Sequence, residues 1–158
     1  MRFAYRVMMA GVAGALVGSA AGYAAGNLAG QQPIEVTVDL GKPGEHAFMP
    51  SNIKFETGKL YKLILRNQSD DPHYFTSHAF SQMIYTRKVQ VVQTRDGKTS
   101  NVAEFKGAIR EIEVYPGHSA EWWFVPVATG RVTDLRCGIV KDGKTHADLG
   151  MVGEIVIE

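Results

Sequence analysis

The C-terminal segment 137–158 contains three side chains that bind soft metal ions. Cys137, the single cysteine of the chain, is followed by His146 and then by Met151. In mononuclear copper centres for electron transfer, two histidines and a cysteine form a trigonal plane and a methionine lies farther away on the axis. The segment supplies one residue of each type. We therefore predict a copper site here and expect a second histidine from elsewhere in the chain.

Four other histidines are candidates for the missing ligand. His118 follows a Pro-Gly turn, where an exposed side chain is the default. His46 lies in a polar, glycine-rich stretch that reads as a loop. His78 is close in sequence to the right region but has no strand directly before it. His73 follows an apolar, β-prone segment and its loop, and it precedes two aromatic residues. We favour His73, with His78 as the alternative.

The first thirty residues differ in composition from the rest of the chain. Arg2 and Arg6 are followed by no charged residue until Glu35, and residues 7–30 are mostly small or apolar. This length is enough to cross a bilayer, and the arginines would keep the N-terminus in the cytoplasm. An uncleaved anchor and a signal peptide cleaved near residues 22–25 both fit the pattern. We expect residues 1–30 to direct export, 31–33 to be a linker and 34–158 to form one domain.

A regular series of glycines runs through this first segment. On a helix, a glycine at every fourth position forms a stripe of small residues, which lets membrane helices approach each other closely. The stripe predicts self-association, although glycine-rich signal regions are common and the spacing could arise by chance. The glycines of the series are Gly14, Gly18, Gly22, Gly26 and Gly30.

Export bears on the role of the unpaired cysteine. Outside the cytoplasm cysteines usually form disulfides, and Cys137 has no partner within this chain. It must then be bound to a metal, bridged to another chain or buried as an inert thiol. Because His146 and Met151 follow so closely, we favour metal, with the buried thiol as the alternative.

Composition limits the classes of partner and of fold. Of 158 residues 21% are charged, and the net charge of +1 gives no basic surface for nucleic acid. Alternating and apolar β-prone segments separated by turns predict an all-β, Greek-key sandwich after the N-terminal transmembrane or signal helix. A helical turn is expected near residues 78–83, and Asp96-Gly97 predicts a hairpin. The expected strands are 34–40, 48–55, 60–67, 83–94, 102–105, 109–115, 118–127, 131–137 and 154–157.

Several motifs together resemble the cupredoxin family of plastocyanin- and azurin-like blue-copper proteins. The resemblance covers residues 34–158 and rests on FMPSNIKFETGKLYKLILRN, PHYF, VYPGHSAEWWFVP and the final GMVGEIVIE. It implies that Asn67 ends the strand ahead of the first ligand, His73. It also implies that Cys137, His146 and Met151 lie on one loop between the last two strands. In this family the loop histidine typically reaches the surface, so electrons would pass through the exposed edge of His146.

Three features depart from the usual family pattern. Eight residues separate Cys137 from His146, and residues 141–144 read as a tight turn protruding from the ligand loop. The run 130–137 is one residue longer than usual, which a β-bulge would absorb. The additional hairpin at 83–105 is either a surface for a partner or an edge without a role in binding.

The resemblance implies an exported protein on the periplasmic side of the membrane that carries single electrons. Its partner would be a redox protein such as a cytochrome or a terminal oxidase. We do not expect an enzyme, because His73, Cys137, His146 and Met151 leave no open position on copper, and His-x-His pairs of a multicopper oxidase are absent from the sequence. One alternative is a periplasmic copper carrier or sensor with the same ligands. Another is a binding sandwich with an inert thiol.

Overall fold

Two β-sheets packed face to face form the body of the protein in the computed structural model, which describes residues 30–158. One short helix and a small separate hairpin accompany them. The elements are β1 (Ile34–Lys42), β2 (Glu45–Met49), β3 (Asn52–Phe55), β4 (Tyr61–Arg66), β5 (His73–Thr76), α1 (His78–Gln82), β6 (Ile84–Arg95), β7 (Lys98–Phe105), β8 (Glu111–Val114), β9 (Ser119–Pro126), β10 (Gly130–Arg136), β11 (Val140–Lys141), β12 (Lys144–Thr145) and β13 (Val152–Ile157).

The sheets differ in size and combine antiparallel with parallel pairs. The six-stranded sheet has the order β2-β1-β4-β9-β6-β7, and the five-stranded sheet has the order β3-β13-β10-β5-β8. Strands β1 and β4 pair in parallel, as do β3 and β13, and the other pairs within the two sheets are antiparallel. Neighbouring strands β5, β10 and β13 therefore bring sequence-distant segments to one end of the sandwich.

Aromatic rings fill the space between the sheets. Trp122 of β9 is 1% exposed and contacts the rings of Phe75, Phe80 and Phe124 edge-on. The next residue, Trp123, points to the other face, where two lysine ammonium groups lie over its ring. This alternation follows from the two-residue period of a strand. One tryptophan therefore belongs to the core, and the other lies on the outer face of the sheet.

The predicted all-β sandwich is confirmed, together with several local predictions. Strands β6 and β7 form a hairpin around Asp96 and Gly97, which both have positive φ. The helical turn near residue 80 is α1. Strand β10 contains the expected bulge, because its pairing with β13 shifts between Val132 and Leu135. The role of the β6–β7 hairpin as a partner surface or an edge stays a prediction.

The structure contains strands that the sequence does not predict, namely most of β2, the strand β5 that carries His73, and the short β11 and β12. The expected strand 48–55 is divided between β2 in the six-stranded sheet and β3 in the five-stranded sheet. Strand β2 forms a hairpin with β1, although the sequence around His46 predicts a loop. The segment EHAFM lacks the alternation that marks β1, and a glycine lies just before it. Its pairing with β1 is a contact between strands that the segment itself does not encode.

The predicted N-terminal anchor or signal helix lies almost entirely outside the described residues, as do Gly14, Gly18, Gly22 and Gly26 of the glycine stripe. Within residues 30–158 no helix is both long and apolar enough to cross a bilayer.

Candidate metal centre

Three of the predicted ligands meet at one end of the sandwich. His73 is the first residue of β5, Cys137 follows β10 directly, and His146 follows β12. All three side chains are 0% exposed. Their convergence results from the sheet order, because β5 and β10 are hydrogen-bonded neighbours.

The ligand atoms of these residues form a compact triangle. The Cys137 Sγ lies 3.7 Å from Nδ1 of His73 and 3.5 Å from Nδ1 of His146, and the two Nδ1 atoms are 3.0 Å apart. The centre of this triangle is about 2 Å from each corner, close to metal–nitrogen bond lengths and slightly under metal–sulfur ones. One sulfur and two imidazole nitrogens thus point at a single position suited to a metal ion.

The other ring nitrogens of the two histidines make no hydrogen bond within the described residues. Nε2 of His73 and Nε2 of His146 are buried and have no hydrogen-bond partner. Buried polar atoms are normally paired, so two such atoms in one cluster need an explanation. A metal bound through the two Nδ1 atoms would fix the orientation of both rings without a hydrogen bond at either Nε2.

Backbone hydrogen bonds fix the ligand loop between β10 and β13. The N–H of Met151 donates to the carbonyl of His146 at 2.8 Å, and the N–H of Cys137 donates to the carbonyl of Met151 at 3.1 Å. The Ala147 N–H donates to the Cys137 carbonyl at 3.0 Å, and the His146 N–H to the Ile139 carbonyl at 2.8 Å. The backbones of the three predicted loop ligands are therefore bonded to one another.

Met151, the predicted axial ligand, is 0% exposed in this loop. Its backbone bonds place it beside Cys137 and His146. Coordination by its thioether stays a prediction.

A buried asparagine holds the loop that leads to His73. The side chain of Asn67 donates to the carbonyls of Asp71 at 2.8 Å and Val114 at 2.7 Å. Its Oδ1 accepts hydrogen bonds of 2.9 Å from the N–H and the hydroxyl of Ser69. Because Val114 pairs with His73 across β5 and β8, the same side chain links the β4 end to the ligand strand. The resemblance placed Asn67 at this strand end.

The sulfur of Cys137 accepts a backbone hydrogen bond. The N–H of Tyr74 lies 3.3 Å from Sγ. Burial raises the pKa of the Cys137 thiol, while the N–H groups of Ile139 and Tyr74 favour the thiolate and act in the opposite direction. A bound cation would add the charge that a buried thiolate needs.

Burial keeps both histidines of the triangle in the neutral form that binds metals. Desolvation by burial, followed by the neighbouring imidazoles of His146 and His46, lowers the pKa of His73 to about 4. The pKa of His146 is also lowered, first by burial and then by His46. Neutral imidazoles keep a lone pair available for a metal.

The insertion between Cys137 and His146 forms a hairpin of its own. Strands β11 and β12 pair through Val140↔Thr145 and Lys141↔Lys144, as the predicted tight turn implied. The ammonium of Lys141 contacts the carboxylate of Asp71 at 2.5 Å and lowers the pKa of that carboxyl group. This ion pair joins the insertion to the loop that precedes His73.

A third histidine lies against the cluster, which the sequence did not predict. The His46 ring stacks on the ring of His146, with centroids 4.0 Å apart and planes at 22°, and it meets His73 edge-on at 5.8 Å. Ligand-capable atoms of the three histidines all lie within 4.8 Å of one another. His46 is partly exposed, but its Nδ1 is buried without a hydrogen-bond partner. His46 is not predicted as part of the site because the sequence does not predict strand β2, on which it lies.

The same hairpin approaches the cluster through its backbone. Gly41 of β1 has φ of 74°, and a Cβ atom there would lie 2.7 Å from Nε2 of His73 and 2.9 Å from the carbonyl oxygen of Glu45. Both distances are too short for ordinary packing. Only glycine therefore fits at this position beside His73.

The expected path through an exposed edge of His146 is wrong in this structure. His146 is 0% exposed and its Nε2 is buried, because the β1–β2 hairpin carries His46 over the ring.

The other two histidines lie away from the cluster. His78 is exposed and its Nε2 is 3.2 Å from the Gln82 amide, and His118 is exposed and bonded to the Pro116 carbonyl at 2.8 Å. His73, not His78, is the histidine beside Cys137.

Comparisons with known proteins concern the fold. No family model matches the sequence, and no curated protein matches it. A multicopper oxidase from Campylobacter jejuni superposes with a TM-score of 0.56 and 19% identity over 80% of this chain, which spans 30% of the oxidase. Auracyanin from Roseiflexus castenholzii has a TM-score of 0.47 and 14% identity over 82% of this chain and 99% of its own. Auracyanin A of Chloroflexus aurantiacus has a TM-score of 0.47 and 15% identity over 80% of this chain and all (100%) of its own. The strand arrangement and the likeness to the oxidase show that residues 30–158 have a cupredoxin-like β-sandwich fold.

Proposed function

We propose that this protein binds one copper ion in a type 1 centre and carries single electrons. The proposal rests on the triangle of Cys137 Sγ and the two Nδ1 atoms of His73 and His146, with sides of 3.0 to 3.7 Å. Copper supplies the exchange between Cu(I) and Cu(II). A soft thiolate suits the cuprous state and imidazole suits both states, and Met151 is proposed as the weak axial ligand.

The protein's own contribution is rigidity. The ligands lie on β5 and on a loop whose backbone groups bond to one another, and the Asn67 side chain fixes the preceding loop. A preformed site changes little between the two oxidation states, so little reorganisation opposes electron transfer. Backbone donation from Tyr74 to Sγ stabilises the thiolate and is expected to tune the potential.

A carrier of electrons needs no open position on the metal. Four protein ligands would occupy the ion, so we propose that the protein is not an enzyme. We also propose export by residues 1–30, as an anchor or a cleaved signal, to the periplasmic side of the membrane. There a redox protein such as a cytochrome or a terminal oxidase would be the partner.

The test is a titration of the metal-free protein with Cu(II), followed by visible spectroscopy and voltammetry. We expect an intense thiolate-to-copper absorption at one copper per chain and reversible one-electron reduction. The Cys137→Ser variant should lose the absorption, whereas Met83→Leu, a methionine outside the ligand loop, should keep it. A wild-type protein without this band would contradict the proposal.

A copper carrier is the second candidate, and His46 is the observation that favours it. A partly exposed imidazole beside three buried ligands gives a metal ion a contact near the surface. A carrier would lose copper quickly to a chelator and show a weak thiolate band. Slow loss with a strong band would favour electron transfer.

A further inference from the structure

One partly exposed side chain, that of His46, lies against the buried cluster. Cys137, His73 and His146 are each 0% exposed, whereas His46 is partly exposed. Ligand-capable atoms of His46, His73 and His146 lie within 4.8 Å of one another. The Nδ1 of His46 is buried and has no hydrogen-bond partner. Within the described residues, no hydrogen bond to a protein group occupies this nitrogen.

The stacking geometry argues against His46 as a resident ligand. A metal lies close to the plane of any imidazole that binds it, along the lone pair of the nitrogen. The rings of His46 and His146 are nearly parallel, at 22°, with centroids 4.0 Å apart. Two rings stacked in this way cannot both hold one ion in their planes. His46 can bind the ion of this site only before or after the stack forms.

We propose that His46 is a capture ligand, which binds an incoming copper ion first and transfers it to the triangle below. This inference rests on the proposed copper site. Two nitrogens on one ion are at most about 4.2 Å apart, since each bond is about 2.1 Å. The ligand atoms of His46 and His73 lie within 4.8 Å and their rings meet at 70°, so their separation needs to close by less than about 1 Å for the two to share an ion.

The transfer is a ligand exchange without a change of oxidation state. His46 gives up its bond to the ion as Nδ1 of His73, Nδ1 of His146 and Sγ of Cys137 form theirs. The thiol proton of Cys137 passes to water as its sulfur binds. The His46 ring then returns to its stack on His146. Release of the ion follows the same steps in reverse, so His46 accelerates loss as well as uptake.

A passive cover would have the opposite effect on the same rates. If His46 only shields the cluster, removing it speeds both uptake and loss of the ion. If His46 captures the ion, removing its nitrogen slows both. The His46→Phe variant separates these cases, because phenylalanine keeps an aromatic ring over His146 and lacks the nitrogen.

The experiment follows the thiolate-to-copper band by stopped flow. Metal-free wild type, His46→Phe and His46→Ala are mixed with Cu(II) sulfate, and the loaded proteins are mixed with EDTA. We expect both rates to fall about tenfold in both variants, with the final band unchanged. His118→Phe, which alters an exposed histidine away from the cluster, should keep the wild-type rates.

Labelling of the Cys137 thiol by a disulfide reagent in the metal-free proteins measures access without copper. His46→Phe should react at the wild-type rate and His46→Ala faster, although both load copper more slowly. His46→Phe rates that are unchanged or faster would overturn the inference, and so would a shifted band, which indicates a resident ligand. A wild type that forms no band contradicts the copper site itself, whereas a wild-type band with unaltered variant rates contradicts only the capture role.

Discussion

Two segments meet at the metal cluster, and they are held in different ways. The ligand loop between β10 and β13 is fixed by backbone hydrogen bonds among Cys137, His146 and Met151. The β1–β2 hairpin instead contacts the cluster by stacking His46 on a ring and by the close approach of Gly41. These bonds hold the ligand loop, whereas the His46 Nδ1 makes no hydrogen bond that would oppose a movement of its ring. A rigid set of ligands beneath a His46 ring that is free of hydrogen bonds at Nδ1 suits a buried site that a metal ion must still enter.

Removal of the Asn67 side chain should have the largest effect on the rigid side. Asn67→Ala leaves the buried carbonyl of Val114 and groups of the 67–71 loop without their partners. We expect a loss of about 4 kcal/mol in the free energy of unfolding, measured in urea. Asn101→Ala, on exposed β7, should cost less than about 0.5 kcal/mol. Equal effects would mean that Asn67 does not hold the ligand strand.

The covering hairpin is tested by adding one methyl group. Gly41→Ala and Gly44→Ala both place alanine at positive φ, which costs about 1–2 kcal/mol. Only at Gly41 does the new Cβ also collide with His73, since nothing lies within 4 Å of the one at Gly44. We expect Gly41→Ala to lose about 3 kcal/mol and alter the thiolate–copper band. Gly44→Ala should keep the band, and matching spectra of the two variants would refute the close contact.

The stability of the metal-free protein should depend on pH through the buried imidazoles. The pKa of His73 is about 4 in the folded chain, below its ordinary value of 6.5, and that of His146 is lowered as well. The unfolded chain therefore binds more protons between these values, and stability falls as pH decreases from 6.5 towards 4.

The slope should reach about 1.4 kcal/mol per pH unit for each imidazole, measured by urea unfolding. The exposed His118→Ala variant should keep the wild-type slope. A metal-free protein with a flat profile in this range would contradict the burial of the two rings.

The smallest effect is expected where the insertion meets the loop before His73. Lys141 and Asp71 form an ion pair whose side chains are 48% and 29% exposed. Lys141→Ala should lower the free energy of unfolding by less than about 1 kcal/mol, because solvent screens such a pair. Lys144→Ala removes the same charge from the same hairpin and serves as the control. A loss of several kcal/mol would show that the insertion is a structural part of the rigid side.

The two segments also differ in what their sequences reveal. Cys137, His146 and Met151 are close along the chain and chemically distinctive, so their spacing predicts a site. His73 could be favoured over His78 because a β-prone segment and its loop precede it. His46 and Gly41 reach the cluster only through the pairing of β1 with β2 and the packing of that hairpin. Neither contact has a local signal, and the burial of His146 depends on both segments at once.

X-ray absorption at the copper edge of the loaded protein identifies the atoms that are bound to the metal. We expect one sulfur and two nitrogens bound to copper, with lengths of about 2.3 and 2.0 Å. A copper ion surrounded only by nitrogen and oxygen would contradict the proposed copper site.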